Sequence, residues 1–586
     1  MNEQKNLIFA VVLSVAILVG FQFFYEVPRV EQEQARQAEL AASGAPDTAT
    51  PSASNVPSGA PVGGSVLPGS GKMSAEDAVK ARREIAADPK RIRIDAPGMR
   101  GTISTVGARI DDTILTHYRE TLDEDSDNIH LLKPAGVPKS YYAEFGWVPE
   151  AEGTLVPNAK TVWEADSDIL GPNQPVTLTW DNGAGLIFER TYAIDNQFMF
   201  SVTQKVRNSG DAAVTLFPYG LLSRGGTPET AGFYILHEGP LGVFDDTLKE
   251  VDYGDLQEDG DQEARSAGGW IGITDKYWLA ALVPDQQAEW SYKFRHSMRN
   301  QNDRFQVDYL GGATSVAAGG EVTNTSHFFA GAKRLDLLDK YEEQIGAPSF
   351  DLAIDFGWFY FLTKPFFIVL TWLHGILGNF GLAILALTVV IKLIFFPLAN
   401  KSYKSMAKMK ELTPKLQEMR EKYGDDRQRL NEEMMAMYKR EKVNPAAGCL
   451  PIVVQIPVFF SLYKVLFVSI EMRHSPFYGW IRDLSAPDPT TLFNLFGLIP
   501  WSPPAMLMIG AWPVLMGLTM YLQQRLNPQP ADPVQAKVFM FLPLLFTFLL
   551  SSFAAGLVIY WTWNNLLSIL QQWVIMKRMG VKNALS

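Results

Sequence analysis

A single cysteine, Cys449, among 586 residues rules out an intrachain disulfide. Any exported part of the chain must therefore be held by packing and pairing alone. Charge is scarce as well, at 20% of residues against 47% apolar, and several runs of about 20 residues carry none. These features exclude an ordinary soluble enzyme and describe a membrane protein with a large soluble part. There is no phosphate loop, H-E-x-x-H, dinucleotide fingerprint or metal-ligand spacing. No G-x-S-x-G surrounds a serine near the one lysine embedded in the apolar stretch 380–398. No enzymatic activity, cofactor, metal or direct nucleic-acid partner is expected.

The charge that exists is unevenly divided: residues 346–586 carry +8 and the first 345 residues −19, against a net −11. Acidic and basic halves of this kind belong in different compartments. Within residues 1–25, the run 6–25 is uncharged and follows Lys5. Its bulky end, 21–25, lacks a small-residue cleavage pattern, so a retained transmembrane anchor is expected rather than a cleaved signal peptide. Residues 26–89, rich in Ala, Gly, Pro and Ser, read as a flexible linker.

Over residues 90–345, short β-branched and aromatic runs such as 176–180, 186–194, 198–206 and 214–219 recur between Gly, Asn, Asp and Pro clusters. That pattern predicts a large antiparallel all-β sandwich, closed by a helix over 335–344. Residues 346–379 mix apolar and aromatic residues with Asp351, Asp355, Lys364, Pro365 and His374, which suits an amphipathic helix along the membrane interface more than a span. Five spans follow, at about 380–398, 447–469, 504–522, 538–553 and 557–576. The last two form a tight hairpin. The loop 401–444 holds 12 Lys plus Arg against 8 Asp plus Glu, and Lys577, Arg578 and Lys582 end the chain. The positive-inside rule puts both in the cytoplasm, and six spans put the N-terminus there too. The β domain is then periplasmic.

Lys392 stands alone in the stretch 380–398, at an insertion cost of roughly 2.5–3.5 kcal/mol. It falls five residues before Pro397, about 8 Å from the inner end of its span. Either its stem snorkels to the inner headgroups, or a water-filled cavity open to the cytoplasm receives it. Thr388, Gln455, Thr519, Asn564, Asn565, Gln571 and Gln572 also lie in spans. Singly each is an interhelical hydrogen bond; converging, they form a hydrated groove. Lys464, near the outer end of its helix, reads as a snorkelling side chain.

The loop 401–444 reads as an antiparallel helical hairpin turning at 423–425 and bent at Pro414. Met406, Met409, Leu412, Leu416, Met419 and Tyr423 recur at steps of three or four, answered by Leu430, Met434 and Met437. An exposed methionine stripe of this kind is adaptable enough to greet varied apolar segments.

In order along the chain stand T-V-V-I-K-L-I-F-F-P-L (388–398), S-M-A-K-M (405–409), E-K-V-N-P-A-A-G-C-L-P (441–451), Q-I-P-V-F (455–459), D-L-S-A-P-D-P (483–489) and A-G-L-V-I-Y-W (555–561). Through them the chain from about 351 to 580 resembles the YidC family of bacterial membrane protein insertases. The stretch G-G-W-I-G-I-T-D-K-Y-W (268–278) carries a looser resemblance to the family's periplasmic domain. The resemblance implies a polytopic α-helical membrane protein: a five-helix insertase core over 380–580, an N-terminal anchor, a periplasmic all-β supersandwich and a short tail, 581–586. It implies a hydrophilic groove open to cytoplasm and lipid but closed outside, with Lys392 as its cation and Thr388, Gln455, Tyr560 and Trp561 lining it. Relatives often carry arginine where this chain has Lys392, so the charge persists without bidentate carboxylate recognition. Implied partners are nascent membrane proteins, the lipid bilayer, the Sec translocon with its accessory subunits, signal recognition machinery and the ribosome. A solute or ion transporter using Lys392 as an anion site is the rival reading, though no internal repeat supports it.

Overall fold

The computed structural model describes residues 74–578 apart from 231–235, 300–301, 424–425, 442, 444–449, 502, 505–506 and 528–532. The expected anchor, most of the linker, the tip of the 401–444 hairpin, most of the 441–451 motif and the C-terminal tail lie outside the described residues.

The first described element corrects the linker. Helix α1 (Ala75–Ala86) occupies its end, where only a tether was expected. Ser74 caps it by accepting from the Asp77 amide at 3.1 Å, with Glu76 and Asp77 in the first turn, and Arg82 binds Asp112 of the sheet at 2.5 Å. Local capping and one tertiary ion pair outweigh the loop-like composition.

The β domain follows as an 11-stranded and a 9-stranded sheet, antiparallel apart from the pairing of Ile92–Asp95 with Ile169–Leu170. Strands at Val176–Asp181, Leu186–Ile194, Met199–Asn208 and Val214–Gly225 match the predicted runs. Along Leu186–Ile194 every second residue is buried, so Leu186, Phe188, Tyr192 and Ile194 point into the core. Phe145 of one sheet meets Phe328 of the other edge to face at 6.4 Å, which fixes how the layers interlock. Truncating such a side chain, as in Phe188→Ala, costs about 3–5 kcal/mol. A short helix α2 (Tyr253–Glu258) interrupts the strands, and α3 (Leu335–Ile345) closes the domain as predicted.

The helical part begins with α4 (Tyr360–Leu377). Lys364 ties it to the β domain by bonding Asp351 at 2.7 Å and Asp339 at 3.1 Å. Gly378, in the left-handed conformation, ends α4, and the Asn379 side chain immediately caps α5 (Phe380–Ile394). By length and composition α4 passes as a membrane-crossing helix, whereas α5 does so only together with α6 (Phe396–Glu411), across a bend of 69°. The expected span 380–398 is thus broken at Phe395. Pro397 lacks an amide proton and its ring clashes with the carbonyl four residues back, so the helix cannot continue straight.

After a second break at Leu412 come α7 (Thr413–Tyr423) and α8 (Arg427–Arg440), the bend expected from Pro414. Met437 and Leu412 are buried, with Met409, Leu416 and Met419 packed against them, and Met406 and Met434 are half-buried. The methionine stripe is therefore the seam that joins the arms, because each apolar face satisfies the other; it is not the open surface expected. Met435, half exposed, is the methionine that faces outward there.

Four further helices complete the described bundle: α9 (Leu450–Val468), α10 (Ala511–Leu526), α11 (Pro533–Leu549) and α12 (Ala555–Arg578). The span expected from residue 504 starts later, at Ala511, because Asp488 and Thr490 accept from the amides of Trp512 (2.9 Å) and Ala511 (3.0 Å) and set the helix start there. Gly517 lets α11 approach α10; a Cβ there would lie 1.9 Å from the Thr547 hydroxyl. Lys464 is corrected too. It forms an ion pair with Asp355 at 2.8 Å instead of reaching for headgroups.

Candidate functional site

Lys392 lies two residues before the end of α5, closer to that end than a straight span would leave it. Parallel to α5 runs α12, and the Trp563 indole donates to the Leu385 carbonyl at 3.2 Å to hold the two in register. Further along both helices, the Lys392 ammonium donates to the Ser568 hydroxyl at 2.8 Å, and that hydroxyl donates to the Asn564 carbonyl at 2.7 Å. Among the described residues no carboxylate lies within ion-pair distance of Lys392.

The ammonium borders a cavity of about 510 Å³ that includes Asn400, Lys404, Gln571 and Arg578 in its lining. Three cations and no acid line it. Lys404 and Arg578 are exposed at the end toward α6 and the finish of α12, while Leu393 and Phe396 form an exposed apolar lip. The buried amide nitrogen of Gln571 has no protein partner. Such a cavity suits a polar, negatively charged guest beside an apolar one.

The other expected groove residues separate. Gln455 donates to the Tyr560 hydroxyl at 2.5 Å, and Trp561 packs on Phe459 at 4.8 Å between ring centres. Tyr560 and Ser568 are eight residues apart on α12, about 12 Å along its axis, so this pair lies deeper on the same helix than the lysine, and Tyr560, 2% exposed, packs inside the bundle instead of lining an open groove. Thr388 bonds back to the Ile384 carbonyl at 2.7 Å and is buried, which takes it out of the polar surface. Asn565 and Gln572 face α10, donating to Thr519 at 3.3 Å and to the Leu526 carbonyl at 3.1 Å. They are helix-to-helix glue. Ser568, Asn400, Lys404 and Arg578 were not anticipated. The spacing of Ser568 and Gln571, three apart on one helix face, is the signal that points to the first.

The β domain caps the opposite end of this bundle. Arg473, just beyond α9, donates to the carbonyls of Arg119 (2.7 Å) and Glu120 (3.0 Å), and the Lys276 ammonium sits 3.7 Å from the Phe467 ring centre. The charged helices α6 to α8 leave from the other end. The cavity thus opens away from the β domain.

Comparison with known proteins divides the chain into the same two parts. The profile of the YidC periplasmic domain matches residues 91–369, and that of the 60 kDa inner membrane protein matches residues 372–582. The membrane protein insertase YidC of Methylorubrum extorquens is 48% identical over 99% of this chain and 96% of its own. That of Granulibacter bethesdensis is 49% identical over 98% of each. A crystal structure described as an active YidC insertase with its first transmembrane domain resolved aligns over 83% of this chain and 92% of its own, at 18% identity and a TM-score of 0.35. With near-complete coverage by relatives of this identity, the chain belongs to the YidC family of membrane protein insertases.

Proposed function

We propose that the chain inserts proteins into the bacterial inner membrane through the cavity beside Lys392, alone or with the Sec translocon and its accessory subunits. Nascent membrane proteins are the substrates, and ribosomes and signal recognition machinery deliver them. The hairpin over 401–444 receives the emerging segment by its charged outer faces. Water in the cavity hydrates the polar stretch that must cross, and an acidic residue in that stretch is drawn toward Lys392, Lys404 and Arg578. The apolar helix then leaves past Leu393, Phe396 and Trp561 into lipid, driven by burial of its own surface.

The observation that carries this reading is the ammonium of Lys392, held by a hydroxyl and bordered by two further cations with no acid among them. A buried charge left without a counter-ion is costly and suits a site whose partner arrives from outside.

In this reading α5, α9, α10, α11 and α12 form a five-helix core, joined to an N-terminal anchor, with both termini cytoplasmic and the β domain, a supersandwich, periplasmic. Helix α4 lies along the outer interface. Its exposed residues Phe361, Ile368, Trp372 and Ile376 form one apolar stripe, its opposite face buries Phe367 and Leu370, and Lys364 is tied to the β domain.

The test is reconstitution of the purified full chain in liposomes with a small single-span protein bearing an acidic tail. Protease protection of the tail is expected with the chain and not without it. Solute or ion flux with no protected tail would favour a transporter instead.

A further inference from the structure

We infer that residues 491–501, between α9 and α10, form an apolar wedge seated in the outer leaflet, with lipid as its partner. This rests on the membrane reading of the helices.

The segment is bound at its base. Asp488, 4% exposed, accepts from the Trp480 indole (3.0 Å), the Thr490 amide and hydroxyl (3.0 and 2.7 Å) and the Trp512 amide (2.9 Å). The Leu492 amide donates to the Ile509 carbonyl at 2.9 Å, and the Thr491 hydroxyl to the Leu507 carbonyl at 2.9 Å. Residues 491–492 are therefore stitched to 507–509 at the start of α10. The segment's orientation relative to the helices is set by those bonds.

The protruding part carries no charge; indeed none occurs between Asp488 and Arg525. Leu495 and Phe496 take left-handed backbone angles (φ 50° and 57°), a conformation β-carbon sterics disfavour. Both side chains are about half exposed, as are Phe493 and Trp501, and Leu498 is 83% exposed. In water this patch would be an aggregation site.

Lipid fits it better than a protein for two reasons. The patch continues into the exposed apolar stripe of α10, Leu515, Leu518 and Leu522, the surface that faces lipid in a span. It also lies at the end of the bundle capped by the β domain, where Trp480, Trp501 and Tyr478 are exposed, and indole and phenol rings favour the headgroup boundary.

The test uses the full chain with Cys449→Ser and one new cysteine, Leu498→Cys, Leu518→Cys or Glu152→Cys, labelled with an environment-sensitive dye. Each is reconstituted in phosphatidylcholine and phosphatidylglycerol vesicles whose lipids carry a quencher at a shallow or a deep position. Residue 498 is expected to give blue-shifted emission quenched more by the shallow quencher, 518 quenching more by the deep one, and 152 a water-like spectrum. A water-like 498 beside a quenched 518 would overturn the wedge and leave the membrane reading standing. Water-like spectra at both would overturn both. Shielding of 498 in native membranes but not in these vesicles would assign the patch to a protein partner and overturn the lipid assignment.

Discussion

Several buried cations of the β domain are paired with carboxylates, whereas Lys392 in the helical bundle meets a hydroxyl; Lys333, buried in the sheets and donating to the Thr274 hydroxyl at 2.9 Å, and Lys464, paired with Asp355 at 2.8 Å, are the exceptions on either side. In the sheets Arg109 meets Glu144 at 2.7 Å, Arg224 meets Asp275 at 2.8 Å, and Arg91 binds Asp111, each cation facing a carboxylate distant in sequence. Tyr219 adds a hydrogen bond to Glu144 at 3.0 Å. In the bundle Lys392 has, among the described residues, the Ser568 hydroxyl and no carboxylate. Removing a charge from water carries the same kind of penalty in both places, and a carboxylate offsets far more of it than a hydroxyl does. Arg109, Arg224 and Arg91 keep their counter-ions within the fold; in the proposed function the counter-ion of Lys392 comes from a client.

The comparison is broken most forcefully from the β side. Glu144→Ala strands the Arg109 guanidinium in the core and should lower stability by about 3–5 kcal/mol, read as a shift in chemical unfolding followed by tryptophan emission. Next in size is Glu471, at the junction just after α9. Its residue is half-buried but its carboxyl group is deep, and burial, reinforced by Asp336 and opposed by Arg334, pushes it up to about 7. A raised carboxyl stabilises the folded junction fully below its ordinary range near 4.5 and loses that contribution as pH rises through about 7. The difference is on the order of 3 kcal/mol. Glu471→Gln should flatten the pH dependence of unfolding between pH 4.5 and about 7, and an unchanged profile would remove Glu471 as its source.

Smaller again, Tyr560→Phe leaves the Gln455 amide without its acceptor and should cost about 1 kcal/mol in thermal unfolding of the helical part. Smallest in stability is Lys392→Met, which swaps an incompletely paired cation for an apolar chain of similar length. Its unfolding midpoint should stay or rise while insertion of acidic-tailed clients falls at least about tenfold, a change equivalent to ~1.4 kcal/mol. A large loss of stability in that variant would place Lys392 among the structural charges and erase the contrast.

Much of this was legible in the chain. Alternating apolar residues such as Leu186, Phe188, Tyr192 and Ile194 announce a strand because burial on one face repeats every two residues. Lys392 announces itself because lysine is expensive in an apolar run. What stayed hidden depends on partners far apart in sequence: Ser568 lies 176 residues beyond Lys392, and Asp355 meets Lys464 across 109 positions, separations that leave no periodic trace. Capping decided two other points, since Ser74 starts α1 inside an apparent tether and Asp488 delays α10 to Ala511. The methionine spacing announces a helical face, but composition cannot distinguish a face left open from one closed by its own hairpin, as Met437 is.

The central claim, that Lys392 recognises its client by charge, is tested most directly by a charge exchange. Wild type and Lys392→Glu are each reconstituted with two versions of one single-span client, its translocated tail carrying either aspartate or lysine, and tail protection is measured. The account predicts that Lys392→Glu loses the acidic-tailed client and recovers with the basic one. Equal protection of the acidic tail by wild type and variant would contradict it.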